Sequence, residues 1–316
     1  MRVLVLGSSG YLGAHVTTAL RATPGARVLT GGRAPGADLV VDLASARTGP
    51  LAEALAALAP DAVVNCAGAV GGDAVTLAEV NARGPAVLCA ALRDAAPGAR
   101  LVHLGSAAEY GPGRPGEPVA EDAPTRPVAP YGASKLAGTV AVTSSGLDAV
   151  VLRVGNPVGP GAPEAGLPGG LAARLRRAGT GSGEVIRLGD LSAYRDFVDV
   201  RDVARAAVLA ATRAGSVPPV LNVGGGRAVR VRELVRALVA AAGFTGRVEE
   251  AGGGSDRSAA VSWQCSDITA AGAALGWAPR FGTEESVAAL WASVAGPGAA
   301  DGAGRVPAPP GAGAVR

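Results

Sequence analysis

The stretch VLVLGSSGYLG, residues 3–13, decides the fold of this 316-residue chain. It begins with an apolar, β-branched run typical of a buried strand, and segment 11–22 after it is typical of a helix. Between them, Gly7 permits a tight turn, Gly10 lets backbone approach a ligand, and Gly13 allows close packing of the helix. Because the first N–H groups of such a helix bind phosphate, the stretch predicts a dinucleotide-binding strand, loop and helix.

The same alternation of strands and helices continues through the first half of the chain. Further strands are predicted at 28–30, 38–43, 61–68, 100–106 and 148–156, and further helices at about 50–58, 75–95 and 130–144. Continuous apolar strands that alternate with helices form parallel sheets covered on both faces. The chain is therefore predicted to be α/β, with a doubly wound parallel sheet of the Rossmann type.

The pattern changes after residue 156, which predicts two units. Residues 1–156 form the expected dinucleotide-binding Rossmann domain, and residues 157–295 a smaller C-terminal substrate-binding lobe with segments that return to the main sheet. Residues 296–316 are rich in glycine, alanine and proline. They have little to bury and are expected to be a disordered tail.

Composition excludes several classes of protein. No uninterrupted apolar run reaches the roughly 18 residues of a membrane span, and the N-terminus shows no signal peptide. Three widely spaced cysteines and two histidines predict neither a disulfide framework nor a metal site, and they fit a reducing cytoplasm. The net charge is +3 and the arginines are scattered, so no nucleic-acid partner is expected.

The end of the second strand discriminates between the two nicotinamide cofactors. An NAD site usually places an acid there to hold the ribose hydroxyls, but this chain reads LTGGRAP and offers Arg33 instead. Since arginine pairs with a 2′-phosphate, NADP(H) is favoured, with NAD(H) as the alternative. Arg33 as an idle surface residue stays open. Asp42 is either an adenine contact or a helix N-cap. The other expected cofactor contacts are Tyr11, Leu12, Leu43, Ala67 and Gly68.

Tyr131 and Lys135 lie four residues apart on a predicted helix, so they share one face. A nearby ammonium lowers the pKa of a tyrosine and makes it a usable acid or base. Lys135 is the only lysine in the chain, against 28 arginines, and a compact ammonium fits between ribose and phenol better than a forked guanidinium. Ser106, at the end of the fifth strand, is the expected third catalytic residue.

Together these motifs resemble an extended short-chain dehydrogenase/reductase of the NAD-dependent epimerase/dehydratase family, whose members modify nucleotide sugars. The resemblance covers the chain to about residue 280. It is carried by GSSGYLG, NCAG, EVNARGP, GSAAEYG, PYGASK, RVGNPVGPG, RDFVDVRDVARA and GWAP. It implies a nucleotide-sugar substrate, a homodimer and a cofactor contact at Asn81.

The turn after Ser106 narrows the subtype that the resemblance implies. Similar 4,6-dehydratases carry an Asp-Glu pair where this chain has Ala107 and Ala108, which argues against elimination. GSAAEYG, with Glu109, resembles reductases of GDP-4-keto-6-deoxymannose. Together with Arg33 this favours NADPH-dependent reduction of a 4-keto sugar nucleotide. An epimerase with tightly bound NAD stays open, as does a catalytically silent NADP-binding regulator.

In the reductase interpretation, Tyr131 donates the proton, Ser106 holds the carbonyl oxygen, and Lys135 tunes Tyr131 and grips the ribose. Substrate contacts are expected at Ser106, Glu109, Asn156, Arg195 and Arg257, the two arginines facing the diphosphate. Glu109 as a simple loop acid is the alternative. Three acids in RDFVDVRD are interpreted as helix caps: Asp196, Asp199 and Asp202.

Overall fold

The computed structural model describes residues 1–180, 183–252 and 261–296. Its main sheet has seven parallel strands in the order β11-β6-β5-β4-β1-β2-β3. These strands are β1 (Arg2–Leu6), β2 (Arg27–Gly32), β3 (Leu39–Val40), β4 (Ala62–Asn65), β5 (Arg100–Ser106), β6 (Ala149–Val154) and β11 (Val220–Val223). The order grows outward from β1 in both directions, so the predicted doubly wound α/β fold is confirmed.

Helices cover both faces of this sheet and build the smaller lobe. They are α1 (Tyr11–Arg21), α2 (Thr48–Leu58), α3 (Ala74–Ala78), α4 (Gly84–Ala95), α5 (Pro130–Thr143), α6 (Leu167–Ala178), α7 (Val200–Thr212), α8 (Val231–Ala241), α9 (Thr269–Leu275) and α10 (Thr283–Ala295). A π-helical turn, Glu79–Arg83, joins α3 to α4, and a 3-10 turn, Ala107–Glu109, follows β5.

The alternation of side chains along β1 divides the core into two layers. Val3 and Val5 pack in the cluster that contains α1 and α7, whereas Leu4 and Leu6 pack in the cluster that contains α2 and α4. All four side chains are at most 1% exposed. This is the burial that a two-sided parallel strand requires, and it explains why the strand reads as one apolar run.

A third cluster holds the smaller lobe together. It contains buried side chains of α6, α8 and α10, among them Leu171, Leu234 and Leu290. Short strand pairs border it: β7 (Asn156–Val158) with β10 (Phe197–Asp199), β9 (Tyr194–Arg195) with β12 (Val229–Arg230), and β8 (Val185–Leu188) with β13 (Arg247–Glu250). Strand β11 and helix α7, from the same half of the sequence, pack instead with the main sheet.

The third strand differs most from its prediction. The sequence predicts 38–43, but β3 pairs with β2 through Leu39 and Val40 alone. Asp38 turns back instead, and its carboxylate accepts bonds from the N–H and hydroxyl of Thr30 at 2.7 and 2.8 Å. No helix among the described residues has the length and apolar character to span a membrane. The tail expected at 296–316 lies outside the described residues, except for Gly296.

Candidate active site

The carboxyl ends of the parallel strands bring the predicted motifs to one edge of the sheet. Gly7 follows β1, Gly32 ends β2, Ala67 follows β4, and Ser106 ends β5. Asn156 lies two residues beyond the end of β6. In an open parallel sheet this edge is where ligands bind, so the edge beside β1 and β4 is the candidate active site.

The glycine loop has no room for side chains. Gly7 adopts φ 72°, and its N–H donates to the carbonyl oxygen of Gly31 at 2.8 Å. A Cβ on Gly13 would lie 2.0 Å from the oxygen of Gly7, and a Cβ on Gly7 would lie 2.7 Å from the nitrogen of Ala67. Gly10 is the N-cap of α1 and adds no side chain above the first N–H groups of the helix. The loop therefore fits a pyrophosphate against backbone.

The end of β2 carries glycine where an NAD site carries an acid. Gly32 adopts φ 150°, and a Cβ built on it would face the Gly7 nitrogen at 3.8 Å. Arg33 follows it and is exposed. Asp38 is the acid nearest in sequence, and its hydrogen bonds from Thr30 hold the pKa of its carboxyl below the usual value. The Asp38 carboxylate is therefore hydrogen-bonded to Thr30 of β2.

The first turn of α1 reaches the smaller lobe. The hydroxyl of Tyr11 donates to the carbonyl oxygen of Gly159 at 3.4 Å, and His15 Nε2 bonds the oxygen of Pro160 at 2.9 Å. Burial raises the pKa of Tyr11, with a further contribution from Asp199. Leu12 is half-buried against the first core cluster. Helix α1 is thus connected to the loop that follows β7.

Asp42 and Leu43 follow β3 and differ in exposure. Asp42 is exposed and accepts the N–H of Ala44 at 3.1 Å, whereas Leu43 is 5% exposed in the second core cluster. Helix α2 begins at Thr48 with Arg47 as its N-cap, so the alternative interpretation of Asp42 as a helix N-cap is wrong. Contact of Asp42 and Leu43 with a cofactor stays a prediction.

Helix α5 sets the predicted catalytic pair against the turn that follows Ser106. Tyr131 is half-buried in the first turn of the helix, and a Cβ on Gly132 would lie 2.5 Å from the carbonyl oxygen of Ala108. This close contact between helix and turn requires glycine. Ser106 is 8% exposed, and its hydroxyl accepts the N–H of Ala108 at 3.2 Å. The packing therefore brings the predicted triad to one place.

Lys135 is buried, with 6% of its surface exposed. Its ammonium donates to the carbonyl oxygen of Leu104 on β5 at 2.5 Å, and its Nζ lies 3.9 Å from where a Cβ on Gly68 would stand. Burial lowers the pKa of Lys135 to about 8, and the negative charge of Glu109 acts in the opposite direction. The ammonium thus lies between the catalytic strand and the loop after β4.

Two polar side chains beneath this lysine form a pair that the sequence did not single out as functional. The Oδ1 of Asn65 accepts the N–H of Ala67 at 3.1 Å, which leaves its Nδ2 to donate to His103 Nδ1 at 3.1 Å. Both side chains are at most 1% exposed. Burial and the nearby Lys135 hold the pKa of His103 well below its usual value, so the imidazole is neutral.

Asn81 connects the loop after β4 to α5. Its Oδ1 accepts the N–H of Ala69 at 2.9 Å, while its Nδ2 donates to the oxygen of Ala69 and to Ser134 Oγ at 2.8 and 3.1 Å. Ser134 Oγ in turn donates to the carbonyl oxygen of Tyr131 at 2.9 Å. Asn81 thus connects the loop after β4 to α5, and its contact with a cofactor stays a prediction.

Glu109 has a different role from the substrate contact expected from the sequence. It is fully buried, and its carboxylate faces the protein interior, where it pairs with Arg153 at 2.8 Å. It does not face a substrate because the 3-10 turn after Ser106 folds the Glu109 side chain back beneath β5. Arg153 was visible in the sequence as a charge within the apolar run of β6, a pattern that signals a buried partner.

The predicted substrate residues lie at the boundary with the smaller lobe. Asn156 is half-buried, and its N–H donates to the carbonyl oxygen of Asp196 at 2.7 Å. Arg195 is 6% exposed and donates to the oxygen of Tyr194 at 2.8 Å, and burial lowers its pKa. The roles of Asn156 and Arg195 toward substrate stay predictions. Arg257 lies outside the described residues.

The three acids of RDFVDVRD differ from one another. Asp199 is the predicted N-cap of α7, and its carboxylate accepts the N–H of Arg201 at 2.8 Å. Asp196 accepts the N–H groups of Gly225 and Ser266 at 2.6 and 3.0 Å. Asp202 accepts two backbone N–H groups near the start of α10, those of Arg280 and Phe281. Thus Asp196 and Asp202 connect distant segments, and the cap interpretation holds for Asp199.

No cluster of histidine, cysteine or acidic side chains in the described ranges could hold a metal ion. The three cysteines are free thiols. Burial raises the pKa of Cys66 to about 12, so this thiol beside Lys135 stays protonated at neutral pH.

Comparisons with known proteins agree with this geometry. The model of the NAD dependent epimerase/dehydratase family matches residues 3–224. A dTDP-6-deoxy-L-talose 4-dehydrogenase (NAD(P)(+)) of Kitasatospora kifunensis is 38% identical over 302 residues, covering 92% of this chain and 94% of that protein.

Solved structures show the same fold over nearly the whole chain. The UDP-glucose 4-epimerase of Thermus thermophilus, in complex with NAD, is 29% identical with a TM-score of 0.79, covering 94% of this chain and all of that one. RMD from Pseudomonas aeruginosa, complexed with NADPH, has a TM-score of 0.78 at 24% identity, covering 93% and 98%.

Proposed function

Because the chain belongs to the NAD dependent epimerase/dehydratase family, we propose that it is an NADP(H)-dependent oxidoreductase acting at C4 of a nucleotide-diphosphate sugar. In the synthetic direction it reduces a 4-keto group to a hydroxyl. The curated 4-dehydrogenase it resembles acts on a dTDP-6-deoxyhexose, and dehydrogenation is the reverse of this reduction. We therefore name a dTDP-4-keto-6-deoxyhexose as the first substrate to test.

The observation that carries the proposal is the composition of the turn after Ser106. Elimination of water from the sugar needs a general acid, yet Ala107 and Ala108 have no ionisable group. The one carboxylate of this turn, that of Glu109, is buried and paired with Arg153. The turn therefore supports hydride transfer with a Tyr131 acid and argues against dehydration.

The cofactor preference rests on the end of β2. An acid at that point would hold the ribose hydroxyls of NAD and repel a 2′-phosphate. This chain has Gly32 there in a conformation that favours glycine, followed by the exposed Arg33. A guanidinium pairs with phosphate through two parallel hydrogen bonds. These features support NADP(H) over NAD(H).

When bound, the reduced nicotinamide supplies the hydride that the sugar carbonyl carbon accepts. Tyr131 donates the proton that the carbonyl oxygen needs as it becomes a hydroxyl, and Ser106 orients that oxygen by a hydrogen bond. Lys135 keeps its positive charge beside Tyr131 and makes loss of the tyrosine proton easier. Hydride and proton together account for the two electrons and the hydrogens that the alcohol gains.

An epimerase is the second candidate, favoured by the 29% identity to a UDP-glucose 4-epimerase across the whole of that structure. Such an enzyme returns the hydride to the same sugar on the other face, so it needs a cofactor that stays bound. Arg33 and the absence of an acid at Gly32 argue against tight NAD binding.

The test is to incubate the purified protein with dTDP-4-keto-6-deoxyhexose and either NADPH or NADH, and to follow absorbance at the nicotinamide band. We expect stoichiometric consumption of NADPH and formation of a 4-hydroxy sugar nucleotide. If the protein instead interconverts 4-epimers of UDP-glucose without added cofactor, and releases NAD on denaturation, the epimerase candidate replaces this proposal.

A further inference from the structure

The Glu109 carboxylate accepts three hydrogen bonds in the interior. Its Oε1 accepts the N–H of Ser106 at 2.8 Å, and its Oε2 accepts Thr139 Oγ1 at 2.9 Å and Arg153 Nε at 2.8 Å. Glu109 has no exposed surface, and Thr139 and Arg153 are 2% and 5% exposed. Such a carboxylate is held in one position, because every alternative leaves a buried charge with fewer partners.

The three donors stand on the elements that carry the candidate site. The N–H that Glu109 accepts belongs to Ser106, whose hydroxyl is the predicted catalytic group. Thr139 is one helical turn after Lys135 on the same face of α5. Arg153 lies on β6, three residues before the predicted substrate contact Asn156. The Glu109 side chain thus connects β5, α5 and β6. These three elements set the relative positions of Ser106, Lys135 and Asn156.

The surroundings leave this carboxylate little freedom. A Cβ on Gly105 would lie 2.7 Å from Glu109 Oε1, so glycine is needed for the acid to fold back beneath β5. The Arg153 guanidinium stacks 4.5 Å from the centre of the Tyr110 ring and donates to the carbonyl oxygen of Glu121 at 3.2 Å. Arg153, the partner of Glu109, is therefore held in position as firmly as Glu109 itself.

The charge of Glu109 also acts on Lys135. Titratable groups that interact electrostatically with that ammonium include Glu109 from the 3-10 turn, Cys66 from the loop after β4 and His103 from β5. Tyr131 lies one turn earlier on α5. Cys66 is a protonated thiol at neutral pH, and His103 is neutral. Glu109 raises the pKa of the buried lysine, against the larger effect of burial. Its negative charge thus helps Lys135 to stay protonated.

We propose that Glu109 is a positioning residue of the active site: it fixes Ser106 against α5 and supplies the negative charge that keeps Lys135 an ammonium. This rests on the roles proposed above for Ser106, Tyr131 and Lys135. It differs from the substrate contact expected at this position, because Glu109 acts through other residues. It also separates two contributions, geometry and charge, that different substitutions remove.

Lys135 is the only lysine of the chain, so protein labelled with ¹³C-lysine gives one lysine side-chain signal in the full-length enzyme. Titration of its Cε shift measures the pKa of Lys135 without any assay of activity. Three variants separate charge from geometry. Glu109→Gln removes the negative charge, and Glu109→Asp keeps it. Thr139→Val removes one hydrogen bond to Glu109 while the side chain keeps a similar shape. Each is also assayed for kcat and KM across pH.

We expect Glu109→Gln to lower the pKa of Lys135 by about one unit and to move the alkaline limb of kcat/KM down by the same amount. Thr139→Val should leave the lysine pKa unchanged and lower kcat a few-fold with KM nearly constant. Glu109→Asp should lower kcat with the pKa unchanged. Equal lysine pKa values in the wild type and in Glu109→Gln would overturn the proposal.

Glu109→Gln leaves the Arg153 charge without its partner and can prevent folding. The double variant Glu109→Gln/Arg153→Gln removes both charges and keeps the shapes. Since Glu109 is the charged group that acts most on Lys135, the double variant should show the same downward shift of the lysine pKa. An unshifted lysine in the folded double variant also overturns the proposal.

The two proposals fail in distinguishable ways. If the wild type reduces no 4-keto sugar nucleotide, the proposed function fails, while the lysine titration still tests the link between Glu109 and Lys135. If the wild type is active and the Glu109 variants titrate and turn over like it, this inference fails alone.

Discussion

The ammonium of Lys135 donates to the carbonyl oxygen of Leu104, two residues before Ser106. The only lysine of the chain is thus fastened to the strand that ends in the predicted catalytic hydroxyl. Lys135 is buried, and a Cβ built on Gly68 would lie 3.9 Å from its Nζ, so the site has space for a compact ammonium. This geometry gives a structural reason why one lysine occurs among 28 arginines.

Lys135→Arg should lower kcat/KM for the keto sugar by about 100-fold or more, although the charge is retained. The guanidinium is larger than an ammonium and holds its donors in a rigid planar fork, which fits poorly where a buried, compact ammonium donates to Leu104. The measurement is steady-state reduction with NADPH. Arg21→Lys, at the exposed end of α1, is the matched control and should keep full activity. Near-normal turnover of Lys135→Arg would contradict a need for the ammonium.

The pH dependence of activity should show an alkaline limb near 8, because burial lowers the pKa of Lys135 to about 8. Above that pH the ammonium is lost and Tyr131 loses its charged neighbour, so kcat/KM falls. Stability should respond in the opposite direction. The folded lysine releases its proton near 8 and the unfolded one near 10.4, so between these values the unfolded chain binds more protons and this group adds stability as pH rises.

Lys135→Met checks both effects together. It should remove the contribution of this group to the rise in unfolding free energy between about pH 8 and 10, measured by urea denaturation, and it should be inactive at every pH. An alkaline limb of the wild type at about pH 10 or above would show that Lys135 keeps an ordinary pKa.

Arg33→Ala should raise the KM for NADPH by about 10- to 100-fold and leave the KM for NADH nearly unchanged. The reason is that charged hydrogen bonds to a phosphate contribute about 1.5–3 kcal/mol, and only NADPH carries the 2′-phosphate. Arg47→Ala, another exposed arginine in the same half of the chain, is the control. Equal effects on both cofactors would place Arg33 outside the ribose site.

Gly13→Ala should abolish dinucleotide binding and destabilise the protein by about 1–3 kcal/mol, because the new Cβ would lie 2.0 Å from the oxygen of Gly7. The overlap separates α1 from the loop that it must approach. Gly49→Ala, whose Cβ would meet nothing within 4 Å, is the control and should bind NADPH normally. Fluorescence titration with NADPH and urea denaturation measure the two effects. Normal binding by Gly13→Ala would show that the loop relaxes.

Asp202→Ala should destabilise the protein by about 3–5 kcal/mol in urea denaturation. Its buried carboxylate accepts the N–H groups of Arg280 and Phe281 and pairs with Arg205 at 2.8 Å, so its removal leaves three donors without their acceptor. Asp94→Ala, an exposed acid at the end of α4, should change stability by less than about 0.5 kcal/mol. A similar small change at Asp202 would exclude it as the connection between α7 and α10.

Much of the fold followed from local pattern. Strand β5 was predicted over the residues it occupies, and α5 to within one residue at each end, because their side-chain periodicity is strong. Strand β3 was predicted too long. Its length depends on Asp38, whose carboxylate accepts hydrogen bonds from Thr30 on β2. The intrinsic strand propensity of residues 38–43 contains no information about that contact.

The sequence by itself determined the strands of the parallel sheet, the glycine loop and the spacing of Tyr131 and Lys135, since each is visible in a short continuous segment of the chain. Only the tertiary structure decided what Glu109 does. Its partners Thr139 and Arg153 lie 30 and 44 residues away, and they turn its carboxylate inward, away from the site. A buried charge takes the direction in which its partners lie, and those partners are assembled by packing of β5, α5 and β6.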